Sequence, residues 1–327
     1  MIFEFTACRD FDFITQFSEK FNFPVRDGLL SFPKDIGEGF VRKIAFSPDF
    51  RILMHRYKLN EDFIIIRNAT KVPNDLISIF FYNNEQPLDL VYNEEKTVKF
   101  SRKNESAVQV TTNDLNSVIR FPGNTETHYV VIGITSQRLA ALLTVKGSNQ
   151  LIDTITSGTA SFLYFESMQV EIQHILKHIF SINADEILGP FSIQIKVQEL
   201  LFHLFDTLIK RESTAHKHIN NDDVERLMQL RNIILSDLSV PPSLPALAAM
   251  IGMSETKMKQ LFKQTFGSSI YNYFQKVRME EAAFLLKQGG YSVSEVGYEL
   301  GFTNLSHFSR LFESHYGSTP KKFSSVA

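Results

Sequence analysis

Eight side chains near the C-terminus have the types and spacing to read the edges of base pairs. Thr256, Lys259, Gln260 and Lys263 recur at helical spacing, and Leu305, Ser306, His307 and Arg310 form a second set about fifty residues later. A guanidinium such as that of Arg310 can hold guanine through two parallel hydrogen bonds. A carboxamide such as that of Gln260 can do the same for adenine, and the tip of Leu305 suits the thymine methyl. Such sets work only from helices that turn them outward.

The elements that would carry them are duplicated. Leu261-Phe262, Phe266-Gly267-Ser268-Ser269 and Tyr273 have counterparts in Leu311-Phe312, Tyr316-Gly317-Ser318-Thr319 and Phe323. Upstream, Leu247-Ala248 before Ile251-Gly252-Met253 matches Val296-Gly297 before Leu300-Gly301-Phe302. A fixed period marks a repeated supersecondary unit, and each copy reads as helix, turn, helix. In the first, Ser243 is the expected cap of a helix burying Leu244, Leu247, Ala248 and Ile251. Gly252 makes the turn, and Ser254 caps a helix burying Met258, Leu261, Phe262 and Phe266. In the second, Ser294 is the expected cap, Val296 and Leu300 lie inside, and Gly301 turns. Asn304 then caps a helix burying Phe308, Leu311, Phe312 and Tyr316.

Between the copies, Tyr271 to Lys287 reads as one helix of about 17 residues, ~25 Å long. That length suits two readers entering major-groove segments one turn of the duplex apart, ~34 Å. From Pro241 onward nine Lys and Arg face six Asp and Glu, against 25 and 30 in the rest of the chain. Lys257, Lys259, Lys263, Lys276 and Arg278 are expected around the first recognition helix, where phosphates would lie.

These residues carry a resemblance. From about Asp222 to Phe323 the chain resembles the DNA-binding domain of the AraC/XylS family. The match is closest over Gly301-Phe302-Thr303-Asn304-Leu305-Ser306-His307-Phe308-Ser309-Arg310-Leu311-Phe312, then Gly317-Ser318-Thr319-Pro320. Phe323 stands where the family usually has Tyr, and Ser324 where a basic residue commonly follows. The resemblance implies a sequence-specific activator or repressor, cytoplasmic and without a cofactor, acting on double-stranded promoter DNA with RNA polymerase. It also implies an N-terminal cupin-like domain for a small-molecule effector or for homodimerisation. Lys196-Val197-Gln198-Glu199-Leu200-Leu201 and Ser306-His307-Phe308 are further similar to siderophore-uptake regulators of the family. The residues leave open a siderophore, a fatty acid, a sugar or no effector.

The expected fold class is α+β: a β-rich cupin-like sensor over 1–135, a helical packing and dimerisation region over 136–213, a linker over 214–221, and an all-α double helix-turn-helix domain over 222–327. Short alternating runs bounded by turns predict strands at Arg51–Lys58, Phe63–Ile66, Leu76–Tyr82, Ala107–Thr111, Val118–Phe121 and Tyr129–Ile134. A sandwich and a barrel both fit them. Gln137–Leu143, Tyr164–Phe180 and Phe191–Arg211 read as helices with wide apolar stripes. The chain has 30 Phe, many of them in the β half, as core or as the lining of an apolar pocket.

Several function classes are disfavoured. The single Cys8 excludes an intramolecular disulfide framework, and no run approaches about 18 apolar residues, so no membrane partner is expected. His55 and His128 stand alone where a metal-bearing cupin needs a cluster. His174 and His178 lie four apart without a third ligand, so no metal is expected. No phosphate loop, nucleophile elbow or dinucleotide fingerprint is found, and no catalytic residue is expected. A β-barrel enzyme with a DNA-binding appendage and a protein-binding adaptor are the alternatives.

Overall fold

The computed structural model describes residues 1–8, 11–70, 75–84, 88–93, 96–100, 107–144, 148–211 and 215–325, with the backbone alone for 88–93 and 96–100. Pro73-Asn74 of an expected turn, Ser213 and Thr214 near the expected linker, and the side chain of Phe100 lie outside the described residues. Two compact units are present: Met1–Glu225 with Gln264–Gly267, and Arg226–Lys263 with Ser268–Ala327.

The first unit opens with β1 Ile2–Thr6, α1 Phe13–Phe21, β2 Val25–Arg26, β3 Leu29–Ser31, β4 Gly37–Ser47, β5 Phe50–Leu59, β6 Phe63–Asn68 and β7 Leu76–Tyr82. It continues with β8 Leu88–Asn93, β9 Lys96–Phe100, β10 Val108–Thr112, β11 Ser117–Phe121 and β12 Glu126–Thr135. After α2 Ser136–Leu143 and α3 Gln150–Thr156 come β13 Leu163–Glu166, α4 Val170–Ser181 and α5 Gly189–Leu208. The strands form a five-stranded sheet, β1-β6-β11-β8-β9, and an eight-stranded sheet, β13-β10-β7-β12-β5-β4-β3-β2. The expected strands are all present.

Period-two alternation sorts the larger sheet into two faces. Phe50, Ile52 and Met54 of β5, with Ile77, Ile79 and Phe81 of β7 and Val130, Ile132 and Ile134 of β12, belong to one core with α4 and α5. Ile172, Ile175, Leu176 and Ile179 of α4 and Ile193, Val197, Leu200, Leu201 and Leu204 of α5 complete it. The helical stripes thus find their partner in the sheet. The alternate residues of the larger sheet meet the smaller one around an aromatic cluster, in which the ring centroids of Phe63 and Phe121 are 5.8 Å apart and those of Phe121 and Tyr129 5.1 Å.

Of the elements that differ from expectation, two matter most for packing. Tyr164 to Phe180 is not one helix: Leu163–Glu166 pairs antiparallel with β10 as an edge strand, and the helix starts only at Val170. A short run such as Phe162-Leu163-Tyr164-Phe165 suits a buried strand as well as a helix, and here pairing decides. The expected set also lacks α1, which Asp12 caps by accepting hydrogen bonds from the amides of Ile14 and Thr15, and which buries Phe13, Ile14 and Phe17.

The remaining helices are α6 Asn221–Ser236, α7 Leu244–Met250, α8 Glu255–Phe266, α9 Ile270–Gln288, α10 Val293–Glu299, α11 Leu305–Tyr316 and α12 Pro320–Ser325. α7 with α8 and α10 with α11 are the two helix-turn-helix copies, and α9 is the connector. Ser243 stands at the cap position of α7 but makes no side-chain cap hydrogen bond. The cap of α10 is Ser292 and not Ser294: its hydroxyl accepts from the Glu295 amide, and the Glu295 carboxylate accepts from the Ser292 amide. This reciprocal capping box satisfies two amides that Ser294, already inside the helix, cannot reach. Tyr316, expected inside, remains 37% exposed.

Gly301 has φ +74°, and a Cβ there would lie 1.9 Å from the carbonyl oxygen of Ser239. Gly317 has φ +68° with nothing within 4 Å of such an atom. Gly317→Ala should therefore cost about 1–2 kcal/mol for the left-handed backbone alone, whereas Gly301→Ala should cost more because it adds a backbone collision. Equal losses in chemical denaturation would contradict the close approach. Ser292→Ala should cost about 1 kcal/mol as a lost cap, while Ser294→Ala should leave the same unfolding midpoint nearly unchanged.

Candidate functional site

The connector α9 is built to seat both copies. Its first turns bury Ile270, Tyr273 and Phe274, with the Phe262 ring edge-on to Tyr273 at 5.3 Å. Its later turns bury Met279, Ala282, Ala283 and Leu286 in one core with Val296, Leu300, Phe302, Phe308 and Phe312. The helix of 19 residues is ~28 Å long at 1.5 Å per residue.

The turns are fixed by arginines. Arg226 donates from Nη1 to the carbonyl oxygen of Gly252 at 2.7 Å. In the second copy Arg278, only 3% exposed, donates from Nε at 2.7 Å and also from Nη2 to the carbonyl oxygen of Leu300. Its guanidinium lies 3.7 Å from the centroid of the Phe302 ring. Arg278 is thus no phosphate contact, as its place in the basic cluster suggested, because its charge is spent inside the second copy. Burial shifts its pKa below the ordinary arginine value.

The two helices of the second copy approach closely where a small residue permits it. A Cβ on Gly297 would lie 2.6 Å from Leu305 Cδ2 and 3.2 Å from Phe308 Cδ1. Leu305 is consequently half-buried against α10, which leaves it less side chain to offer outward than its neighbours. Ser306, His307 and Arg310 are exposed on α11. Asn304 caps that helix, accepting from the amides of Ser306 at 3.0 Å and His307 at 3.1 Å. No described residue hydrogen-bonds to or pairs with the Arg310 guanidinium.

On α8, Thr256, Lys259 and Gln260 are exposed and Lys263 is half-buried. Lys259 pairs with Glu255 one turn earlier at 2.8 Å. Ser254 caps the helix through the Lys257 amide at 3.3 Å. Gly252 and Gly301 occupy equivalent turns, with φ +63° and +74°.

The first unit holds a second feature: a cavity between the sheets with about 780 Å³ of space not filled by atoms, its mouth included. Leu53, Ile65, Phe80 and Val131 give it apolar walls, and Asp12, Lys43, Arg51 and His55 reach it from α1, β4 and β5. The sequence reading gave none of these polar residues a place in a ligand site. The available signal was the alternation of Arg51, Leu53 and His55 on one face of β5. Among the described residues, no group of three or more His, Cys, Asp or Glu could hold a metal, and no helix is long and apolar enough to cross a membrane.

Comparison with known proteins matches residues 247–325 to a helix-turn-helix domain. The chain is 32% identical over 95 residues to the HTH-type transcriptional activator CfaD of Escherichia coli, covering 29% of this chain and 36% of that protein. It is 25% identical over 168 residues to the Msm operon regulatory protein of Streptococcus mutans, covering 51% of this chain and 56% of that one. Against the crystal structure of an apo ToxT variant from Vibrio cholerae, identity is 15% and TM-score 0.34, over 84% of this chain and 96% of that one. The chain thus spans from about a third to just over half of the length of these curated relatives. The matched domain covers both helix-turn-helix copies, and over it the chain is similar to the helix-turn-helix domains of AraC-type transcription regulators.

Proposed function

We propose that this protein is a sequence-specific transcription regulator whose two recognition helices, α8 and α11, bind double-stranded promoter DNA. The observation that carries the reading is the matched pair of outward polar sets on one connector: Thr256, Lys259, Gln260 and Lys263 on α8, and Ser306, His307 and Arg310 on α11, with Leu305 at the inner edge. An exposed guanidinium with no protein partner among the described residues is ready for a bidentate contact to guanine. The naming of relatives with this domain as activator or operon regulator supports the same role.

In this reading residues 222–327 bind DNA, 214–221 are the linker, 136–213 pack and dimerise, and 1–135 sense a small-molecule effector in the cavity between the sheets. The protein works in the cytoplasm and reaches RNA polymerase at the promoter. A second copy of the chain covers the outer face of α5. There Phe191, Ile195 and Phe202 are 59%, 49% and 64% exposed, an apolar stripe on the side away from the sheet. Ile195 and Phe202 lie equally far from the middle of α5, as Leu188 and Ile209 do just beyond its ends. An antiparallel copy would therefore match each to its opposite, as a two-fold interface requires.

Arg310→Ala should weaken binding to the selected site by about 1–3 kcal/mol and relax preference at one base pair. A competition assay with unchanged affinity and unchanged preference would sink the assignment. In sedimentation, the wild type should behave as a dimer and Phe202→Glu as a monomer. A monomeric wild type, with and without DNA, would rule out the α5 interface.

A further inference from the structure

The cavity between the sheets is charged in an uneven way. Among the described residues lining it, Asp12 is the only acid, against Lys43, Arg51 and Arg67. Lys43 forms an ion pair with Asp12. The Asp12 carboxyl is kept below its ordinary pKa, for although burial opposes ionisation, Lys43 and the amides of Thr15 and Ile14 outweigh it. Arg51 feels the same carboxylate but does not bond it. Its one hydrogen bond among the described residues goes to the carbonyl oxygen of Phe11, at 3.4 Å. Two cations thus share one anion, and most of the five donors of the Arg51 guanidinium lack an acceptor among the described residues. The group is also held in place: its Nε runs over Gly133, 3.4 Å from where a Cβ would stand.

At the other end of the same strand face sits His55. It is 1% exposed, stacked on Tyr129 at 4.0 Å, and its Nδ1 is buried without a hydrogen-bond partner. A buried polar atom left without a hydrogen bond is destabilising, so an occupant that bonds it gains by removing that cost. Burial pushes the His55 pKa down to about 3, so the ring is neutral and suits a neutral group. Leu53 lies between Arg51 and His55, in one apolar row with Val131 and Phe80 of the larger sheet, and Ile65 reaches the cavity from the smaller sheet. Arg51 and His55 are four residues apart on β5, ~13 Å at about 3.3 Å per residue.

We propose that the cavity takes an elongated organic carboxylate, its acid group held by Arg51 beside Lys43 and a neutral hydroxyl or carbonyl at its far end received by His55. The proposal rests on the cavity being the effector site of the proposed regulator.

The test is isothermal titration of the full chain with para-hydroxyphenylpropionate and omega-hydroxyoctanoate, with their primary amides, and with phenylpropionate, which lacks the far hydroxyl. At least one hydroxy acid should bind at least about tenfold more tightly than its amide, as loss of a charge-assisted hydrogen bond implies, and Arg51→Gln should erase the difference. Phenylpropionate should bind more weakly than its hydroxylated form to the wild type and equally to His55→Phe. Equal binding of acid and amide by the wild type, or no binding of either acid, overturns the proposal without depending on the folding of a variant. Affinity for DNA fragments selected from a genome is measured on the same preparation. Intact DNA binding without acid binding removes the ligand and spares the regulator, and acid binding without DNA binding does the reverse.

Discussion

One helix has to bury two separate cores. α9 gives its first turns to the first helix-turn-helix copy and its later turns to the second, and at the changeover it carries a charged residue, Arg278. A guanidinium withdrawn from water is costly unless its donors and its charge are met. Here the Leu300 carbonyl lies at the C-terminal end of α10, where the helix dipole is negative, and the Phe302 ring presents its electron-rich face. These are the two residues flanking the Gly301 turn. The group that would be hardest to bury is therefore the one that ties connector, turn and reader together.

The first copy meets the same need differently. Arg226 comes from α6 rather than from the connector and holds the Gly252 carbonyl from the exposed side. In water such a bond contributes less than a buried one. The readers differ as well: α8 has lysines, one tied to Glu255, whereas α11 has an arginine without a described partner, near a serine and a histidine. Lysine is a point charge that suits phosphates, and arginine a planar fork that suits a base edge. The duplicated scaffold thus carries unequal chemistry; in the proposed role, lysine-bearing α8 would favour positioning and arginine-bearing α11 base reading.

Most of the C-terminal architecture was legible because its signals are local. The glycine turns, the Ser254 and Asn304 caps, and the apolar spacing of Met258, Leu261, Phe262, Phe308 and Phe312 all lie within a few residues of what they specify. What was not legible depends on distant partners. Arg278 looks like any solvated helix charge until Leu300 and Phe302, more than twenty residues on, are placed against it. Leu163–Glu166 becomes a strand only because β10 offers an edge. The Ser292 cap is local too, since Glu295 stands three residues after it, whereas three residues after Ser294 stands Gly297, which cannot complete a capping box. In the first unit β5, β6, β7, β10, β11 and β12 were readable from their alternation. Which face of β5 would enclose a cavity was not, because that depends on how two sheets meet.

β5 serves two environments at once. Phe50, Ile52 and Met54 carry the helices, while Arg51, Leu53 and His55 border the cavity. Interiors are packed too tightly for one row of side chains to shift alone, and these six residues share one backbone. A displacement of the strand toward or away from the smaller sheet would move the floor on which α4 and α5 rest. The backbone that borders the space between the sheets is thus the same one that floors the two long helices, so neither side of β5 can be altered in isolation from the other.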